Sequence, residues 1–201
     1  MSKKKIAIQG ELGAYSHIAA ENLYKDSEIK TCTTFEETFK QAYNDPSYKI
    51  VIPIENSLAG RVADIHYLLP KYKLQIHGEH FQAVEHNLLC KPDATISDIK
   101  FVRSHAQAIG QCQNLITKKK FKPIISADTA GSAKDLAEGK DKTIAAIASE
   151  LSAKIYNLKI LEKNIEDEKG NVTRFLIMGK NIEQPEFKKE KKFITSCIFR
   201  V

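Results

Sequence analysis

Four short segments of this 201-residue chain set chemistry-bearing side chains beside apolar runs. Gly170-Asn171-Val172-Thr173-Arg174-Phe175 leads into Leu176-Ile177-Met178. An arginine beside a threonine there pairs a planar donor fork with a hydroxyl, a good combination for holding a carboxylate. The same residues also suit a plain strand start with a surface arginine. Pro53-Ile54-Glu55-Asn56-Ser57-Leu58-Ala59-Gly60 closes the most strand-like run, which begins at Lys49. Asn56 and Ser57 offer neutral donors and acceptors, and the small Ala59 and Gly60 leave the backbone approachable; Ser57 also suits a helix cap. Ser104-His105-Ala106-Gln107 is followed by Gln111. Adjacent Ser104 and His105 do not readily form a nucleophile–base pair, and no GxSxG elbow is present, which argues against a serine hydrolase. Gly10-Glu11-Leu12-Gly13-Ala14-Tyr15-Ser16 is glycine-rich and precedes a helix pattern. Backbone amides there could hold an anion, or the loop could be a tight turn; it lacks both nucleotide-binding glycine patterns.

Other chemistries find less support. His66, His77, His80 and His86 do not have HExxH spacing, and Cys32, Cys90, Cys112 and Cys197 form no CxxC pair, so neither a metal nor an organic cofactor is expected. The thiols are expected to be reduced and buried. Lysines and arginines number 31 against 25 acidic residues, for a formal net charge of +6. The excess is scattered over Lys3–Lys5, Lys118–Lys120 and a mixed run from Lys188 to Lys192. That pattern predicts solvated faces and a linker and no nucleic-acid partner, while a mildly positive field would help collect a small anion. No run approaches the ~20 apolar residues of a membrane span. Behind the basic N-terminus only Ile6-Ala7-Ile8 is apolar, so a cytoplasmic protein is expected.

The elements that must position these residues read as alternating strands and helices. Strands are expected at 5–9, 30–33, 49–54, 74–77, 81–89, 101–103, 123–126 and 143–147. Helices are expected at 16–24, 35–43, 60–69 (ending before Pro70), 106–117, 130–138 and 149–156. Such alternation predicts an α/β fold with mostly parallel strands. In open α/β sheets ligands sit beyond the carboxyl ends of strands, where the four segments lie.

Taken together, the segments resemble the prephenate dehydratase family. The opening Ile6–Gly10 with Gly13–Ser16, the PIENS block at 53–57, Ser104-His105 with Gln107 and Gln111-Cys112, Asp128–Ala133, Ala145–Ser149 and the Thr173-Arg174-Phe175 signature occur in family order. The sequence departs from the common pattern in three places: at Ala106, at Glu11-Leu12, and at Arg61 after Gly60.

The resemblance implies a two-lobed α/β fold, periplasmic-binding-protein-like (type II), with the active site in the inter-lobe cleft. One lobe would hold about 1–76 and 163–180, the other about 77–162. A linker would follow at 181–192, and 193–201 would begin an incomplete regulatory ACT domain, so phenylalanine is an effector only if that domain is complete. The implied reaction is a lyase step of phenylalanine biosynthesis, prephenate losing water and carbon dioxide to give phenylpyruvate. Thr173 would be the acid to the ring hydroxyl, with Glu55 orienting a neighbour and Ser104 supporting Thr173. Asn56, Ser57, Gln111, Arg174 and Phe175 would bind substrate, Arg174 through the side-chain carboxylate. Members of the family usually associate, which predicts a homo-oligomer. The alternatives are an arogenate dehydratase, acting on the amino analogue, and a non-catalytic module that binds a small carboxylate.

Overall fold

A computed structural model describes residues 3–181, 189–190 and 192. The ACT strand expected at 193–201 and most of the expected linker lie outside the described residues. The chain opens as strand–helix repeats: β1 (Lys5–Gln9), α1 (Tyr15–Leu23), β2 (Glu28–Cys32), α2 (Phe35–Asn44) and β3 (Tyr48–Asn56). Helix α2 starts where its sequence says it should. The Thr34 hydroxyl accepts from the Glu37 amide at 3.1 Å, which caps the helix, and the Glu37 carboxylate reaches back to accept from the Thr33 amide, just before the cap, at 2.8 Å.

The next stretch differs from expectation. Gly60 and Arg61 do not begin a helix but fold back as a short strand, β4 (Gly60–Arg61), paired with Asn56 and Glu55. Gly60 takes φ +79, the left-handed turn conformation that glycine adopts without penalty. Helix α3 (Ala63–Tyr72) then runs through Pro70 instead of stopping before it. Pro70 lies on the exposed side, and the helix ends two residues later with Lys73 in the left-handed region. Strand β5 (Gln75–Ala83) is one continuous element where two strands were expected.

After a short crossing the second sheet is built from β6 (Asn87–Cys90), β7 (Phe101–His105), β8 (Lys122–Ser126), β9 (Ile144–Ala148) and β10 (Lys159–Glu162). Its helices are α4 (Ala106–Gly110), α5 (Gln113–Lys119), α6 (Thr129–Glu138) and α7 (Glu150–Ile155). The chain returns to the first sheet as β11 (Val172–Gly179). The first sheet has the order β2-β1-β3-β11-β5, with β4 on β3, and the second β10-β6-β9-β7-β8.

The expected α/β class with two sheets is the one observed, but the strands are mixed. Each strand–helix–strand repeat gives a parallel pair, β1 with β2 and β3, and β7 with β8 and β9. The crossing segments enter without such a helix, so β11 is antiparallel to β3 and β5, and β6 to β9 and β10. The division expected after residue 76 falls inside β5, all of which belongs to the first sheet. The chain changes sheets between Ala83 and Asn87.

Each sheet buries both faces. In the first, Ile6, Ile8, Val51, Phe175 and Ile177 pack with Ala19 and Ala20 of α1, while Ile50, Ile52, Leu176 and Met178 pack with Phe39 of α2 and Ile65 of α3. In the second, Leu88, Val102 and Ile147 meet α4 and α5 through Ile109 and Ile116, and Leu89 and Ala146 meet α6 and α7 through Leu136 and Ala153. Among the described residues no helix is long and apolar enough to cross a membrane.

The glycine-rich loop joins the two sheets. The Gly13 carbonyl accepts hydrogen bonds from the Ser149 and Ser152 hydroxyls at 2.6 and 3.1 Å. A Cβ at Gly13 would collide with Ser152, so this position admits only glycine on contact grounds as well as by its φ of +91. One of the two readings of that loop, the tight turn, therefore acquires a purpose: it docks the carboxyl end of β1 against the N-cap of α7 beside the other sheet.

Candidate active site

Strand β11 enters the first sheet with Thr173 directly opposite Asn56 of β3. Asn56 is held in one orientation by the backbone, since its Oδ1 accepts from the Leu58 and Ala59 amides at 3.0 and 2.8 Å. Its Nδ2 must therefore face the other way, where it donates to Thr173 Oγ1 at 2.9 Å and to Asn171 Oδ1 at 2.6 Å. Asn171 Nδ2 donates in turn to Gln111 Oε1 at 2.9 Å. Thr173 is only 9% exposed and Asn171 3%. The Thr173 hydroxyl is an acceptor in this chain of amides, which leaves its own proton for a ligand. The network joins the first sheet to the second, because Gln111 follows α4.

Gln111 is available because the expected helix 106–117 is broken. Helix α4 ends at Gly110 and α5 starts at Gln113. The backbone groups freed by the break are taken by Asp167, which lies far along the chain. Its carboxylate accepts from the Gln113 and Asn114 amides at 2.8 and 3.0 Å, and its amide donates to the Gln111 carbonyl at 2.7 Å.

Behind Gln111 lies His86, 2% exposed. Its Nε2 is 2.9 Å from Gln111 Oε1, and its Nδ1 is 3.1 Å from the Tyr15 hydroxyl, which donates to the Glu85 carbonyl at 2.7 Å. The His86 amide donates to Glu166 Oε2 at 2.9 Å. Burial holds the imidazole pKa below its usual value, against the opposing pull of the Gln111 hydrogen bond and the Glu166 carboxylate. Burial likewise pushes the Tyr15 phenol well up, with Glu166, Cys112 and Glu85 adding to the effect. The neighbouring Cys112 thiol is pushed up to about 12 by burial and by Asp167 and Glu166, so it stays protonated and inert.

The other expected residues are not gathered at Thr173. Successive residues of a strand face opposite sides, so Arg174 lies on the α2–α3 side of the sheet and Thr173 on the α1 side. The Arg174 guanidinium is already engaged: Nε and Nη2 lie 2.7 and 2.6 Å from Glu79 Oε2, and the group stands 5.9 Å over the Phe81 ring. The expected fork for a substrate carboxylate is thus an intramolecular ion pair. Glu55, paired in register with both Arg174 and Arg61, shares that far face and is exposed. A carboxylate placed there does not confront an anion bound beside Thr173.

Ser104 is fully buried, and its hydroxyl donates to the Ile147 carbonyl at 2.7 Å inside the second sheet. Its expected support of Thr173 is supplied by Asn56 instead. Ser57 extends the β3–β11 ladder as a side-chain rung, its Oγ accepting from the Val172 amide at 3.0 Å and donating to the Gly170 carbonyl at 3.3 Å. Phe175 is 2% exposed and packs in the α1-side core, so it does not line a site.

The structure therefore brings Thr173, Asn56 and Gln111 together, and adds Asn171, His86 and Tyr15. The signal for Asn171 was present: strand alternation puts residues 171 and 173 on one face. Nothing local marks His86, whose neighbours in space come from residues 15, 111 and 166.

The chain matches the family model described as prephenate dehydratase over residues 6–183. It is 39% identical over 199 residues to a bifunctional N-acyl-homoserine lactone acylase/prephenate dehydratase from Komagataeibacter europaeus, covering 98% of this chain and 69% of that protein. It is 40% identical over 198 residues to arogenate dehydratase/prephenate dehydratase 2 from Arabidopsis thaliana, covering 98% of this chain and 51% of the relative. Among solved structures, the prephenate dehydratase of Arthrobacter aurescens in complex with L-Phe superposes with a TM-score of 0.83 at 25% identity, over 92% of this chain and 63% of the other. The chain thus spans about half to two thirds of the length of these proteins.

Proposed function

The chain belongs to the prephenate dehydratase family, and from that premise we propose that it converts prephenate to phenylpyruvate with loss of water and carbon dioxide. The observation that carries this reading is the half of the Thr173 hydroxyl that nothing among the described residues uses. Asn56 donates into its oxygen, so the threonine proton points away from the amide network. A substrate hydroxyl placed against it receives that proton as it leaves.

The chemistry needs little more from the protein. Breaking the bond to the ring carboxylate sends an electron pair into the ring and expels the 4-hydroxyl, and aromatisation supplies the drive. Thr173 gives one proton to the departing oxygen and regains one from solvent, and carbon dioxide, water and the phenylpyruvate anion leave. Threonine is a weak acid in water, so its help depends on a nearly dry position, which 9% exposure provides. General acid assistance of this kind is worth about 10²–10⁴-fold. Asn56 and Asn171 fix the hydroxyl, and the Gln111 carboxamide, with its oxygen engaged, has its Nε2 left to donate to substrate. Glu55, Ser57, Arg174 and Phe175 act as the frame of β3 and β11 in this reading, and Ser104 as the lock of the second sheet.

Arogenate is the second reading, favoured by the plant relatives named arogenate dehydratase. The same expulsion on the amino analogue gives phenylalanine. An acylase activity, named for one relative, would need a nucleophile, and buried Ser104 is committed to the Ile147 carbonyl while His105 Nδ1 accepts from the Gln107 amide. The test is to give the purified chain prephenate, arogenate and an N-acyl-homoserine lactone in parallel. Phenylpyruvate from prephenate, abolished by Thr173→Ala, supports the proposal. Phenylalanine from arogenate alone changes the substrate, and lactone cleavage alone overturns the lyase reading.

A further inference from the structure

We propose that His86 is a positioning residue for the Thr173 chemistry, acting through Gln111, with its imidazole kept as the neutral Nε2–H tautomer. The inference rests on the lyase reading only for its effect on turnover. The geometry stands by itself. Leu58 and Ala59 amides fix the Asn56 oxygen, so Asn56 presents Nδ2 to Asn171. Asn171 must then present Oδ1 to Asn56 and Nδ2 to Gln111, and Gln111 must present Oε1. The oxygen that receives Asn171 also lies 2.9 Å from His86 Nε2, so that nitrogen carries the hydrogen. A backbone turn in the first sheet thereby dictates the tautomer of a histidine at the start of the second.

The opposite side of the ring meets a hydroxyl that can accept as well as donate. With Nε2 protonated and the ring neutral, Nδ1 is a bare acceptor facing the Tyr15 hydroxyl. The single Tyr15 proton is donated to the Glu85 carbonyl, 2.7 Å away, and Nδ1 lies 3.1 Å from the same hydroxyl oxygen, so the tautomer is set from the Gln111 side. The charged and titratable groups facing the ring are Tyr15 and Glu166, with Cys112 beside them; burial keeps the tyrosine and thiol neutral. His86 therefore anchors Gln111 from behind, and two donors aimed at one oxygen hold the carboxamide plane. The Gln111 Nε2, which has no partner among the described residues, is left to face substrate. Without the imidazole, Gln111 keeps one restraint and the substrate end of the carboxamide swings.

The test separates positioning from mere filling of space. His86→Leu keeps apolar volume but donates nothing, and should lower kcat by about 10–100-fold while KM changes less than about threefold. His86→Gln places an amide N–H toward Gln111 and should recover most of that loss. Thermal unfolding of each variant shows whether it is folded. Wild-type turnover in His86→Leu, or no advantage of Gln over Leu, overturns the proposal. Gln111→Leu combined with His86→Leu should be no worse than the poorer single variant; full multiplication of the two losses would mean that His86 does not act through Gln111. If the wild-type chain turns over neither prephenate nor arogenate, the lyase reading fails, and the positioning claim is decided by ¹⁵N NMR of the imidazole. An Nε2–H ring in the wild type that loses this preference in Gln111→Leu supports it. An Nδ1–H ring in the wild type overturns it.

Discussion

Thr173 and Arg174 are neighbours in sequence and share one strand, yet they sit in two different electrostatic environments. On the α1 side of β11 the partners are neutral amides, each with its orientation imposed by the next, and the hydroxyl at the end keeps a proton to give. On the α2–α3 side the partners are charges that satisfy one another, Arg174 with Glu79, with Phe81 58% exposed beneath the guanidinium. Neutral donors with one unfilled valence are suited to a reacting group, since they add directed hydrogen bonds without a fixed charge to be neutralised. A paired guanidinium is suited to holding strands together. The period of two in a strand is enough to separate the two tasks.

The sharpest way to break this contrast is Thr173→Ala, expected to cut turnover by a hundredfold or more, within the range for general acid help. Its unfolding midpoint should move little, because one small methyl-bearing side chain at a strand end is lost. Thr173→Ser should keep most of the activity. Phenylpyruvate formation and thermal unfolding, measured on the same preparations, decide it. Normal turnover in the alanine variant would leave the α1 face with no chemical role.

Asn171→Ala comes next, with a loss of about 10–100-fold expected from misplacement of both Asn56 and Gln111. It also leaves buried partners unsatisfied, at a cost of about 1–3 kcal/mol in urea unfolding. Activity and stability should therefore fall together here, unlike at Thr173.

On the other face the order of effects should reverse. Arg174→Leu strands a Glu79 carboxylate that is 27% exposed, so stability should drop by about 1 kcal/mol, and less in high salt. Turnover should change by less than about threefold, and Glu79→Gln should remove much of the damage. A large rise in KM with unchanged stability would restore the substrate-carboxylate role expected from sequence. Ser104→Ala should behave in the same way, costing about 1–3 kcal/mol for the orphaned Ile147 carbonyl with kcat nearly intact.

The smallest effect concerns acid. Burial depresses the pKa of both His86 and His77, the latter to about 4 with Lys49 adding to the shift. Histidines in the unfolded chain titrate near ~6.5 and so bind more protons than the folded protein between that pH and the folded values. Stability should thus be level above pH ~6.5 and decline as pH falls toward 4. Urea midpoints across that range measure the slope, and His77→Phe should flatten part of it.

Much of the fold was legible residue by residue. The apolar runs 5–9 and 49–54 and the periodic stretches between them led to β1, α1, α2 and β3 within a few residues, because burial on one or two faces writes a period into the chain. The break of 106–117 was only partly legible: Gly110, where α4 ends, weakens a helix without dictating a break. What holds it open is Asp167, more than fifty residues away. Thr173, Asn56 and Gln111, expected from their motifs, are joined through Asn171 by one chain of hydrogen bonds. Arg174, Phe175 and Glu55 came with the same motifs and proved to face elsewhere, because a motif groups residues by position along the chain while a strand sorts them by side.

By itself, then, the sequence determines the α/β class, the succession of strands and helices, and the types of group available for chemistry. These follow from local propensity and from how apolar residues repeat. The tertiary structure alone decides which of those groups share a face, which donors are already spent within the protein, and which proton remains. Those outcomes depend on partners brought from remote segments, Asn171 to Asn56, Gln111 to Asn171 and Glu79 to Arg174, and no local stretch of chain encodes the direction of a hydrogen bond it completes elsewhere.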